Sequence, residues 1–292
     1  MVLKSFAKLN LYLEVLSRRK DNYHQIKTIF ERIDLCDKIS LQSRRDRKIS
    51  LSCDSPGVPT DNSNLAFRSA RLLQDKFKVK KGVEIKIIKR IPVGAGLGGG
   101  SSNAACVLLG LDSLWRLRLS RKELLICARN IGSDVPFFIY NCPFAWGSGR
   151  GDKIKPIKVL NPVRLWHILV VPKIKVSTPL IYQKWDALTK KKVGLTHPRY
   201  DVKILPLALC QKDLTWASAA LFNSLETVTG RCYPEVGRIR ERLCQLGLPA
   251  ILMSGSGPAV FGITSNRKEA QEGARQLRQE NKSWQVFVNK TV

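Results

Sequence analysis

The stretch Pro92-Val93-Gly94-Ala95-Gly96-Leu97-Gly98-Gly99-Gly100-Ser101-Ser102-Asn103 decides how this chain is read. Five of the seven residues from 94 to 100 are glycine, and two serines follow. Immediately after, Ala104, Val107, Leu108, Leu111 and Trp115 recur at three- and four-residue steps, which predicts an amphipathic helix. Glycine adopts positive φ freely and lets the backbone approach a ligand closely. The unpaired N–H groups at a helix start, aided by the helix dipole, make an anion site. Ser101, Ser102 or Asn103 can cap that helix or touch a phosphate. A plain turn would gain nothing from this many mobile glycines, which cost stability unless a ligand compensates.

Known phosphate loops differ from it. A Walker loop needs Gly-Lys-Ser/Thr, and the stretch has no lysine. Gly94-x-Gly96-x-x-Gly99 matches the dinucleotide fingerprint, but the acidic partner is missing, because Asp112 falls inside the following helix. The protein-kinase set fails as well, since neither His-Arg-Asp nor Asp-Phe-Gly occurs in the chain.

Outward from the loop, the pattern alternates between strands and helices. Leu9, Leu11, Leu13 and Val15 take one side of a period-two segment and Lys8, Asn10, Tyr12 and Glu14 the other, which predicts a half-buried strand with Lys8 and Asn10 on one face. Asp21-Asn22-Tyr23-His24 reads as a turn, followed by a strand near 26–33. Ile39 and Leu41, then Ile49, Leu51 and Cys53, suggest a further hairpin. Residues 54–62 are loop, 65–77 helix, and Val83, Ile85 and Ile87 strand. A second helix is expected at 122–130, closed by Asp134-Val135-Pro136. Gly, Pro and Lys dominate 147–162, so a boundary is placed there: an N-terminal nucleotide-binding domain over 1–158 and a C-terminal domain over 159–292. The second half reads as strands at 165–172, 250–253, 259–264 and 284–289, with helices at 178–189, 217–228, 235–246 and 267–280. Strands followed by helices in each half give two α+β domains.

Composition narrows the function classes. With 292 residues, 44% hydrophobic and 25% charged, the chain can bury proper cores and is not disordered. No apolar run reaches the ~18 residues of a membrane helix. The start has no apolar stretch long enough for a signal peptide, so a cytoplasmic protein is expected. Eight cysteines form no Cys-x-x-Cys pair and there are three histidines, which leaves no zinc pattern and suggests buried, reduced thiols. The net charge of +27 is spread along the chain. Its short clusters are Arg44-Arg45-Asp46-Arg47-Lys48, Lys80-Lys81 and Lys190-Lys191-Lys192. Such a charge attracts anionic substrates or polyanions, while most of the clusters read as solvated faces.

The glycine stretch resembles the second motif of the GHMP kinases, Pro-x-x-x-Gly-Leu-Gly-Ser-Ser. Three further segments resemble one branch of that family, whose acceptor is a cytidyl diphosphate: Ala7-Lys8-Leu9-Asn10-Leu11, Asp21-Asn22-Tyr23-His24, and Gly132-Ser133-Asp134-Val135-Pro136-Phe137. Gly255-Ser256-Gly257-Pro258 resembles the family's third motif. The resemblance runs in order through the whole chain. It implies an α+β, two-domain GHMP kinase fold, with an N-terminal domain like the second domain of ribosomal protein S5, a ferredoxin-like C-terminal domain and the active site between them. It also implies transfer of the γ-phosphate of ATP to the 2-hydroxyl of 4-diphosphocytidyl-2-C-methyl-D-erythritol, with Mg²⁺ expected beside the ATP.

By the same resemblance, Asp134 takes the proton of the attacking hydroxyl and Lys8 stands beside it. A lysine within ~4–6 Å favours an ionised aspartate and steadies developing negative charge. Pro92 through Ser102 would hold ATP. Asn10, Tyr23 and His24 would bind the substrate, the aromatic ring stacking on cytosine and the neighbour reading its edge. Thr178-Pro179 with Tyr182 resembles the element that supplies the other side of a cytosine sandwich. Backbone N–H groups of Gly255, Ser256 and Gly257 would face the diphosphate. No carboxylate is assigned to the metal; Ser101 or Ser102 is the candidate ligand. Two departures stand out: Asn22 where glycine is usual, and a basic Trp146–Gly151 segment expected to bear on how the nucleotide is covered. The alternatives are another GHMP kinase of homoserine or mevalonate type, a relative without catalysis, and a polyanion-binding protein. The last lacks an RNA-recognition signature, so neither a specific nucleic acid nor a membrane partner is expected.

Overall fold

The structure, a computed structural model, describes residues 1–191, 197–264 and 266–292. Lys192, at the end of the 190–192 cluster, lies outside the described residues. The strands run β1 Val2–Arg18, β2 His24–Arg44, β3 Ile49–Cys53, β4 Gly82–Ile88, β5 Phe144–Ser148, β6 Lys153–Pro156, β7 Trp166–Val171, β8 Phe222–Asn223, β9 Ala250–Met253, β10 Val260–Thr264 and β11 Gln285–Lys290. The helices are α1 Leu65–Lys76, α2 Gly99–Trp115, α3 Arg121–Ile131, α4 Val135–Tyr140, α5 Thr178–Lys191, α6 Ile204–Cys210, α7 Leu214–Ala220, α8 Glu226–Cys232, α9 Pro234–Gln245 and α10 Arg267–Glu280.

Two sheets organise the chain. The first orders β3-β4-β2-β1-β8, with β5 on the early part of β2 and β6 on β5. The second is antiparallel throughout, in the order β11-β7-β10-β9. One apolar cluster packs the first sheet under α1 to α4. Another packs the second sheet under α5, α8, α9 and α10. A third joins them: Leu9, Leu11, Ile29 and Phe144 meet Leu169, Val171, Leu205 and Phe261.

Several sequence expectations need correction. β1 is not half-buried, because Lys8, Asn10 and Tyr12 are as covered as Leu9 and Leu11. The outer face expected to meet water meets the glycine loop and the second half of the chain instead. Ile39 and Leu41 do not open a hairpin. They continue β2, and β3 pairs in parallel with β4, since the intervening α1 is the crossover a parallel pair requires. Helix α2 is buried nearly all round, not on one stripe. Gly110 makes this possible, because a Cβ there would stand 2.4 Å from Leu41 and 2.7 Å from Leu3. The helix expected at 217–228 breaks into α7 and α8. Phe222 and Asn223 leave it to pair with β1, and Asn223 Nδ2 donates to the carbonyls of Met253 (2.7 Å) and Gly255 (2.8 Å). These bonds tie the late glycine loop to the first sheet. The cysteines are all free, but Cys210 and Cys244 are exposed, not buried.

Candidate active site

The glycine loop is held by backbone contacts to both sheets. The N–H of Lys8 donates to the carbonyl of Leu97 at 3.0 Å, and that of Ala259 to Ala95 at 3.3 Å. Ser254 Oγ donates to the carbonyl of Gly96 at 3.1 Å and accepts from the N–H of Asn10 at 3.3 Å. Gly96 has φ +77°, and a Cβ on it would lie 2.2 Å from the carbonyl of Ser254. Gly98 has φ +68° and sits directly over the Lys8 side chain, whose Cγ would be 3.0 Å from a Cβ there. Glycine is therefore favoured at both places by conformation and required at Gly96 by space. Gly98 also begins α2 as its cap, with no side-chain cap hydrogen bond. The serines and asparagine do not cap the helix as expected. Ser102 turns inward to accept from Ser5 Oγ at 2.7 Å. Asn103 Nδ2 donates to Ser5 Oγ and to Asp37 Oδ2, both at 2.9 Å. Fully buried Asp37 also pairs with Lys89 and accepts from the N–H groups of Arg90 and Ile91, so it fixes the entry to the loop.

Under the loop lies the pair that the sequence singled out. Lys8 Nζ stands 3.7 Å from Asp134 Oδ2, although 126 residues separate them. β1 brings Lys8 opposite Arg32 of β2 in the first sheet. Asp134 comes from the bend between α3 and α4, and its carboxylate makes no helix-cap bond. Lys8 also donates to Asn10 Oδ1, and Asn10 Nδ2 donates to Thr28 Oγ1 at 2.8 Å. Thr28 in turn donates to the carbonyl of Tyr12 at 2.6 Å. This chain fixes both ends of Asn10. Burial pulls the Lys8 pKa below its ordinary 10.5, and the charge of Asp134 opposes that pull.

The pair opens into a cavity of about 860 Å³ between the two halves. At its other end His24 is buried, with Nε2 2.7 Å from Asp186 Oδ1. Tyr182 stacks on the imidazole at 4.9 Å between ring centroids, and Trp185 meets it edge-on at 5.6 Å. Burial, and to a lesser degree the charge of Asp134, push the Tyr182 phenol up. Tyr23 is half exposed, with the Arg150 guanidinium 4.7 Å from its ring centre. Asn22 adopts φ +65°, the conformation glycine would supply. Thr178 Oγ1 and Ser256 Oγ are 2.7 Å apart, joining α5 to the late glycine loop.

Of the residues singled out from the sequence, this cavity gathers Lys8, Asn10, Tyr23, His24, Gly96, Gly98, Asp134, Thr178, Tyr182, Gly255 and Ser256. It does not take in Pro92, Val93, Gly94, Gly99, Gly100, Ser101 or Gly257, while Ala95 and Leu97 face the core. Tyr23 and Tyr182 are not a ready-made pair of facing rings, because Tyr182 lies on His24 instead. The Trp146–Gly151 segment is the end of β5 and the start of the turn to β6, and it brings Arg150 to the Tyr23 end of the cavity. Sequence reasoning missed Arg18, Thr28, Arg150 and Asp186. Asp186 lies one helical turn after Tyr182, on the same face, which is the signal that could have found it.

Comparison with known proteins agrees with this geometry. Residues 64–142 match the GHMP kinases N terminal domain, and 207–283 match GHMP kinases C terminal. The chain belongs to the GHMP kinase family. More particularly, it is similar to 4-diphosphocytidyl-2-C-methyl-D-erythritol kinases. It is 40% identical to that of Syntrophotalea carbinolica over 98% of this chain and 97% of the relative. It is 42% identical to that of Bacillus subtilis over 92% and 89%. A crystal structure of 4-(cytidine 5'-diphospho)-2C-methyl-D-erythritol kinase aligns with a TM-score of 0.82 at 33% identity, covering 99% of this chain and 98% of that one. A mevalonate kinase structure aligns at 0.71 with 15% identity over 100% and 98%, which speaks to the fold alone. That fold is the two-domain, mixed α/β fold of the GHMP kinases.

Proposed function

We propose that this protein is a cytoplasmic kinase that transfers the γ-phosphate of ATP to the 2-hydroxyl of 4-diphosphocytidyl-2-C-methyl-D-erythritol, in the non-mevalonate route to isoprenoid precursors. The observation that carries this is the 3.7 Å Lys8–Asp134 pair, set between two glycine loops at one end of a cavity whose other end holds His24 and Tyr182. The cytidyl group lies against Tyr23, His24 and Tyr182, and its diphosphate runs past the Gly255–Gly257 loop. This places the methylerythritol hydroxyl at Asp134, which accepts its proton. Lys8 steadies the negative charge that develops there, and Asn10 holds Lys8 in place. ATP enters along Pro92–Ser102, with phosphates facing the free N–H groups at the start of α2. Little covalent work is left to the protein, because phosphoryl transfer needs mainly positioning and charge neutralisation.

Among the described residues no three His, Cys, Asp or Glu side chains gather as a metal site. Oxygen donors near the loop include Asp134 and Ser101, whose Oγ lies beside Gly132 at the start of the Asp134 bend. That sparse set fits a Mg²⁺ ion held chiefly by nucleotide phosphates. Bound there, it would neutralise phosphate charge. Among the described residues no helix is long and apolar enough to cross a membrane.

The test is ADP release with Mg²⁺-ATP and 4-diphosphocytidyl-2-C-methyl-D-erythritol. Turnover that depends on this substrate and collapses in Asp134→Ala supports the reading. Turnover with homoserine or mevalonate in its place would overturn it.

A further inference from the structure

We infer that Asp186 is a positioning residue that sets the hydrogen-bonding sense of His24 and thereby makes the base end of the cavity prefer cytosine over uracil. The inference rests on the cytidyl reading above and deepens it.

His24 is confined on three sides. Tyr182 covers one face, Trp185 meets it edge-on, and Asp186 Oδ1 lies 2.7 Å from Nε2. A carboxylate oxygen can only accept when ionised. Arg18 Nη1 stands 4.0 Å from the other oxygen of Asp186. Nε2 must therefore carry the proton that points at Asp186. With its single proton on Nε2, the ring keeps a lone pair on Nδ1, and His24 lines the cavity. No hydrogen bond to this atom comes from the described protein.

A lone pair on a ring that lines the pocket selects its ligand. Cytosine offers an exocyclic amino group, which donates to it. Uracil carries a carbonyl oxygen at the same position, which would face it with a second lone pair. The acceptor on Nδ1 is thus matched to one base and set against the other, and a buried site built this way rejects the mismatched group strongly. The other tautomer, with hydrogen on Nδ1, would reverse the preference. Asp186 comes from α5 in the second half of the chain and His24 from the start of β2 in the first, so the base-reading edge is assembled across the cavity.

Calorimetric titration with CDP and UDP tests this on the full chain. The wild type should favour CDP by at least about tenfold. Asp186→Asn keeps an acceptor oxygen for Nε2–H and should keep most of that ratio. Asp186→Ala should bring the ratio close to one by weakening CDP and not UDP. Equal weakening of both nucleotides would mean that Asp186 only pins α5 to β2, and would overturn the inference. A second readout needs no ligand. The imidazole ¹⁵N resonances of His24, assigned with His24→Gln, should show the Nε2–H tautomer in the wild type and in Asp186→Asn, and a mixture in Asp186→Ala. An Nδ1–H tautomer in the wild type would also overturn it. Turnover of the cytidyl substrate together with an unchanged nucleotide ratio in Asp186→Ala defeats this inference and leaves the kinase reading standing. Absence of both turnover and cytidyl binding defeats the kinase reading, and this inference with it.

Discussion

The two ends of the cavity are built by different means. At the phosphoryl end, Lys8 and Asn10 lie on β1 beside β2, and hydrogen bonds clamp the two glycine loops to that strand and to each other: Lys8 N–H to the Leu97 carbonyl, Ala259 N–H to the Ala95 carbonyl, and the Ser254 hydroxyl between Asn10 N–H and the Gly96 carbonyl. Its geometry is over-determined, and there is no room for a methyl group at Gly96. The base end is made by side chains alone. His24 meets Tyr182 and Asp186 of α5 only because the two halves pack together, while the Tyr23–Arg150 contact joins a turn and a hairpin loop of the first half. Rigid backbone suits a step in which a small displacement costs rate. Side-chain contacts suit recognition of a flat base by stacking and a few edge bonds. The comparison predicts that changes at the first end act on kcat and stability, and changes at the second on KM.

The largest effect is expected at Asp134. Asp134→Ala should lower kcat about a thousandfold, within the range for loss of a general base. KM for the cytidyl substrate should hardly move, and steady-state ADP release reads both. Lys8→Met should lower kcat at least about a hundredfold by removing the charge that steadies the reacting oxygen. The same variant should be no less stable than the wild type. Burial lowers the Lys8 pKa in the folded protein, so the unfolded chain binds this proton more tightly and the lysine costs stability below its folded pKa. That cost fades as pH rises towards 10.5. A urea midpoint for Lys8→Met that falls well below the wild type at neutral pH would contradict this. The alkaline limb of the wild-type kcat profile should correspondingly lie below 10.5, where the charged lysine is lost.

The next effect separates two glycines of one loop. Gly96→Ala meets the Ser254 carbonyl and should cost about 3 kcal/mol, combining left-handed strain with overpacking. Gly94 has φ +69° but open space around it, so Gly94→Ala should cost only about 1 kcal/mol of backbone strain. Equal losses of thermal stability would mean that the clamp between the two loops is not what holds Gly96. The smallest effect belongs to the base end. Tyr182→Ala should raise KM for the cytidyl substrate about tenfold and leave kcat within about twofold, as expected for loss of one stacking surface.

The sequence by itself determined the parts that depend on local chemistry. The glycine run, the helix after it, the strand at 8–15 and several of the other strands and helices were legible, because each depends on spacing and conformational preference within a few residues. The family followed from four motifs in one order. Helix α10 has the bounds that its apolar spacing gave, Arg267–Glu280. What the sequence could not tell is which surfaces would be covered. Lys8 and Asn10 look like the wet face of a strand until the loop and the second half close over them. Phe222 and Asn223 look helical until β1 offers them a partner. Ser102 and Asn103 look like caps or phosphate ligands until Ser5 and Asp37 claim them. Asp186 looks like one more charge on a helix until His24 arrives from the other half. These depend on contacts between residues far apart in the chain, where burial and pairing outweigh local preference. Only the tertiary structure decided them.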